Sequence, residues 1–104
     1  MKFPVVLHTD DGIRYGVTVP DLPGCFSAGD TFDEALESAK EAIDLHLEGL
    51  TEDGEETPLA SSISEHRHNH DYVDGVWAVV DVDTSRFEGK AEKINRNAKA
   101  MLKP

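Results

Sequence analysis

Apolar residues recur along this chain at two different periods, and each change of period marks an element. Residues 2 to 9 read as a strand, closed by Asp10-Asp11-Gly12, a turn in which the glycine can supply positive φ. From Ile13 to Val19 the pattern alternates, with Ile13, Tyr15, Val17 and Val19 on one face and Arg14, Gly16 and Thr18 on the other. These two segments predict a β-hairpin. Pro20 and Pro23 cannot donate ladder hydrogen bonds, so 20 to 24 is expected to be a connecting knuckle. Residues 25 to 28 then form a short third strand returning along the second.

After Asp30 the period becomes helical. Phe32, Ala35, Leu36, Ala39, Ala42, Ile43, Leu47 and Leu50 recur at three- and four-residue steps, which predicts one buried stripe. Thr31 and Glu34 have capping-box spacing, with Asp30 a competing N-cap, and Asp33 and Glu34 suit the positive end of the helix dipole. Gly49 and then Thr51-Glu52-Asp53-Gly54 end the helix. Residues 52 to 71 are polar and rich in turn formers, an excursion with room for a helical turn near 62 to 67. Val73 to Val82 is the final strand, with Trp77, Val79 and Val76 expected in the core. The order β-β-β-α-β predicts an α+β domain, a small antiparallel sheet with one long amphipathic helix on a face.

Several of these residues at fixed spacing resemble the HicB-like antitoxins of bacterial toxin–antitoxin pairs. They are the knuckle Pro20-Asp21-Leu22-Pro23-Gly24-Cys25, the helix opening Gly29-Asp30-Thr31 with Glu34-Ala35, and the ending Trp77-Ala78-Val79-Val80-Asp81-Val82-Asp83 with Gly89-Lys90. The resemblance covers roughly residues 2 to 90. It implies a reduced RNase H-like fold, no catalytic activity and no cofactor. It also implies a protein partner, a HicA-type mRNA-cleaving toxin that the antitoxin covers. Many family members continue into a ribbon-helix-helix or helix-turn-helix module. Here the sequence runs Arg96-Asn97-Ala98-Lys99-Ala100-Met101-Leu102 and stops, which argues against operator DNA as a partner. Ala91, Ile94, Ala98, Met101 and Leu102 suit a short amphipathic helix instead. The expected organisation is a domain over 1–85 and a short basic, helical tail over 86–104.

Charge sharpens this picture. Residues 1 to 83 hold 4 Lys/Arg and 19 Asp/Glu, a net −15, and residues 84 to 104 hold 6 and 2, a net +4. An acidic body repels nucleic acid and attracts a basic partner. A basic tail can touch nucleic acid, so a regulator acting through Lys90, Lys93, Arg96 and Lys99 is an alternative reading, as is an interaction module of the same fold with no toxin. The single Cys excludes an internal disulfide, and no window is long and apolar enough for a membrane span, so a cytoplasmic protein is expected. Small sheets leave edge strands, so self-association as a dimer or tetramer is expected.

The candidate contact residues are Pro20, Asp21, Leu22 and Pro23, a rigid loop expected to expose Leu22 beside a sheet edge, with Glu37 and Glu41 on the solvated helix face. No metal site is expected. His66, His68 and His70, beside Glu65 and Asp71, are weak candidates because all lie in one polar loop, whereas structural sites gather ligands from separated elements. Cys25 is expected to be a small buried hydrophobe, and Asp81 and Asp83 a solvated strand face rather than a nuclease pair.

Overall fold

The structure, a computed structural model, describes residues 1–87. Three strands, β1 (Lys2–His8), β2 (Tyr15–Thr18) and β3 (Phe26–Gly29), precede the long helix α1 (Phe32–Glu52). A crossover carrying the short helix α2 (Ile63–His66) and a 3-10 turn (His70–Tyr72) leads to β4 (Val76–Asp81). The sheet order is β3-β2-β1-β4, and every pairing is antiparallel. This is the expected α+β fold, with the excursion supplying a right-sized connection from α1 to the far edge.

The α1 helix begins where its chemistry says it should. Thr31 is extended, and its Oγ1 accepts the Glu34 N–H at 3.1 Å, so Thr31 rather than Asp30 is the N-cap. The fully buried stripe is Ala35, Ala39, Ile43 and Leu47, one residue per turn, with Phe32, Leu36, Ala42 and Leu50 packed along its borders. Burying Ile43 and Leu47 contributes about 1.5–3 kcal/mol each. The small side chains at 35 and 39 let the helix sit close to the sheet. Gly29 of β3 faces that contact, and a Cβ there would run into the backbone of Ala35 and Glu34.

Central strand β1 is buried on both faces. Phe3, Val5 and Leu7 point to α1, while Pro4 and Val6 lie on the far side, under the crossover. Gly75 ends that crossover so close to Val6 and His8 that any side chain would collide with them. On this second face Trp77 receives the Tyr72 ring edge-on, centroids 5.6 Å apart, and lies parallel to His66.

Two expectations about strand faces need correction. Ile13 is not in the sheet and is 65% exposed. The Asp11 carboxylate accepts the N–H groups of both Ile13 and Arg14 at 2.8 Å, and these bonds pull its pKa down to about 2. Local turn bonding thereby removes residues 13 and 14 from the ladder. In β4, Val80 and Val82 are the buried residues, with Ala78 packed beside them, whereas Val76 and Val79 are about half exposed and Trp77 lies on the far face. Register decides this: Val5 pairs with Ala78 and Phe3 with Val80, and directly opposed residues share a face. The packed core also runs past residue 85, since Phe87 is 1% exposed and belongs to the same apolar cluster.

Candidate functional site

The outward side of α1 carries Glu34, Glu37, Glu41, Asp44 and Glu48, spaced three and four residues apart, opposite the buried stripe. They therefore form one acidic ridge along the helix. Like charges at this spacing destabilise a helix by about 0.2–0.5 kcal/mol per pair. The last turn adds no basic residue to complement the dipole. Glu37 and Glu41 are exposed as expected, and with Asp10, Asp30 and Glu34 they line an open cleft of about 780 Å³ beside the β1–β2 turn. Arg86 approaches the ridge, with its guanidinium 3.9 Å from Asp44.

The knuckle is built differently from the expectation. Leu22 N–H donates to Val19 O at 3.0 Å and Cys25 N–H to Leu22 O at 2.9 Å, with Gly24 at φ +86 closing the turn. This geometry turns Leu22 inward, where it is 1% exposed among the core residues. Leu22 is thus a plug that holds the knuckle down, not an exposed contact, while Pro23 is exposed and Pro20 half-buried. Cys25 is buried beside it, and burial pushes its thiol pKa up, as suits a packing residue rather than a nucleophile.

Asp21 turns toward the crossover. Its Oδ1 accepts the Ser61 hydroxyl at 2.5 Å, its Oδ2 accepts the Ser61 N–H at 2.8 Å, and His66 Nε2 lies 2.9 Å from Oδ1. His66 Nε2 is also 2.7 Å from Ser61 Oγ. Because the hydroxyl hydrogen goes to Asp21, Nε2 must carry the proton that binds both oxygens. Ser, His and Asp meet here, but at one ring nitrogen. A relay needs the carboxylate on one nitrogen and the hydroxyl on the other, so this cluster is a clasp between knuckle and crossover. Burial pushes the Asp21 carboxyl up, but the bonds from Ser61 and from His66, with the attraction of the imidazole, outweigh it and hold the group below its ordinary 3.8.

A folded carboxyl held below its unfolded value contributes stability that is complete above 3.8 and lost as pH falls below it. Asp21→Asn is accordingly expected to cost about 1–3 kcal/mol at pH 7. Urea denaturation at a series of pH values checks this: the deficit against the parent chain should shrink below pH 3.8.

His66 belongs to this clasp, and His68 and His70 are exposed on the turn beyond it. Among the described residues no group of three or more His, Cys, Asp or Glu is placed to hold a metal ion. Asp81 and Asp83 are exposed; Asp83 accepts the Ser85 hydroxyl and N–H, and Asp81 lies 3.6 Å from the Met1 amine. The tail residues Lys90, Lys93, Arg96 and Lys99, with the helix expected there, lie outside the described residues. Among the described residues no helix is long and apolar enough to cross a membrane.

The family model of the HicB-like antitoxin of bacterial toxin–antitoxin systems matches residues 3–103. The chain belongs to this family. The HicB-like chain is 48% identical over 103 residues to an uncharacterized 14.9 kDa protein of Haemophilus phage HP1, covering 98% of this chain and 76% of that one. The antitoxin HicB of Burkholderia pseudomallei superposes with a TM-score of 0.75 at 38% identity, over 98% of this chain and 84% of that one. A chain of the HicA3 and HicB3 toxin–antitoxin complex matches with a TM-score of 0.65 at 25% identity, over 80% of this chain and 99% of that one.

Proposed function

We propose that this HicB-like chain is an antitoxin that binds a small basic toxin of the HicA type and silences it by covering its RNA-cleaving face. The observation that carries this reading is the acidic ridge of α1, continuous over five carboxylates and kept at a cost to helix stability, in a member of a family with a relative in a toxin–antitoxin complex. A ridge of one sign raises the encounter rate with a basic partner and opposes nucleic acid. Occlusion needs no chemistry from the antitoxin. Asp21 and His66 are engaged in the clasp, Asp83 in a turn and Cys25 in the core, which supports an inhibitor rather than an enzyme.

The sheet ends in two edges, β3 and β4, with Val76 and Val79 exposed on β4, and this supports self-association as a dimer or tetramer. The test is co-expression of the full chain with the product of the adjacent reading frame. A stable complex that stops RNA cleavage and relieves growth arrest is expected. Full toxin activity in the presence of excess chain would sink the reading.

A further inference from the structure

On the sheet face away from α1, a groove of about 410 Å³ separates the knuckle and β3 from the 3-10 turn of the crossover. Pro20, Pro23, Phe26 and Tyr72 line it, with Leu22 beneath. Phe26 is 65% exposed on the edge strand, an uncommon place to leave an aromatic ring. The walls are held before any partner arrives. Two prolines fix the knuckle, the Asp21–Ser61–His66 clasp ties it to the crossover, and Tyr72 is braced edge-on against Trp77.

Asp71 is the charged side chain lining the groove. Its backbone N–H caps onto Asn69 Oδ1 at 2.8 Å, while its carboxylate makes no hydrogen bond or ion pair among the described residues. An exposed phenyl ring and a half-buried phenol beside one available carboxylate match a particular side chain. A guanidinium is planar and weakly hydrated, stacks on aromatic rings and pairs with a carboxylate through two parallel N–H groups. An ammonium, compact and strongly hydrated, gains less from such walls.

We infer that this groove is an anchor site for an arginine side chain of the basic protein partner. The guanidinium lies against Phe26 and Tyr72 and its N–H groups donate to Asp71. The net −15 of residues 1 to 83 favours such a cation at every approach. The groove and the acidic ridge then divide the work. The ridge governs how fast the partner arrives, and the aromatic anchor governs how long it stays. The identity of the partner rests on the antitoxin reading; the chemistry of the groove does not.

The full chain is titrated with N-acetyl-arginine N-methylamide and followed by amide proton–nitrogen shifts. Saturable shifts clustered at Phe26, Asp71 and Tyr72 are expected, absent with the uncharged citrulline analogue and weakened in Asp71→Asn. No localised shift, shifts confined to α1, or an equal response to citrulline overturns the assignment. In the complex with the adjacent reading frame's product, Phe26→Ala should dissociate at least about tenfold faster. Its melting temperature should hold, because the ring is largely outside the core. A complex that forms but dissociates at the parental rate rejects the groove and spares the antitoxin reading. A parent chain that forms no complex rejects that reading, and the arginine titration then decides the groove alone.

Discussion

Phe87→Ala is expected to destabilise the domain by about 3–5 kcal/mol. The ring is 1% exposed within the cluster formed by the sheet and α1. Its backbone N–H closes a turn onto Thr84 O at 3.0 Å, which sets the ring's approach to the core. The truncation removes the transfer energy of an aromatic side chain and leaves a cavity beside close-packed neighbours. Against a total of roughly 5–15 kcal/mol for a domain of this size, such a loss takes a large share. Equilibrium urea unfolding checks it. A cost under about 1 kcal/mol would mean that Phe87 does not pack as described. The same reasoning predicts that a chain cut at residue 85 folds poorly although every strand of the sheet is intact.

The second large effect concerns binding. Reversing Glu37 and Glu41 together, Glu37→Lys with Glu41→Lys, is expected to slow association with the proposed toxin partner by roughly 10- to 100-fold at low salt. Both residues are exposed and at the middle of the acidic ridge, so the substitutions change the local field without touching the core. Repulsion along the ridge is relieved at the same time, so thermal stability should hold or rise. This separates weakened recognition from unfolding, which would lower both. Screening supplies the second check: the Debye length falls from about 10 Å at 0.1 M salt to about 3 Å at 1 M, and the difference in association rate should shrink with it. Equal association rates for variant and parent at low salt would remove the ridge from the binding mechanism.

The two predictions locate different kinds of information. Most of what short range governs was legible in the chain itself. The helix follows from apolar steps of three and four between Phe32 and Leu50 and from a Thr31 cap; the hairpin follows from Gly12 and the alternation after it; the knuckle follows from two prolines and Gly24. These are properties of a few consecutive residues, and the sequence alone determined them, together with the family and the acidic body.

Tertiary structure decided the rest, for identifiable reasons. Val76 to Val80 is apolar at every position, so no alternation says which residues face α1; pairing with Phe3 and Val5 does. Leu22 looks like an exposed loop residue until the core beneath it is in place. Ile13 is a local exception: it continues a perfect alternation, yet the carboxylate of Asp11, two residues before it, claims its N–H and takes it out of the sheet. Asp21 and His66 meet across 45 residues, and Phe26 lines one groove with Asp71 and Tyr72 across a similar span. No spacing rule reaches that far. Periodicity and turn chemistry specify which elements form, and only closure of the sheet under the crossover determines which side chains they bring together.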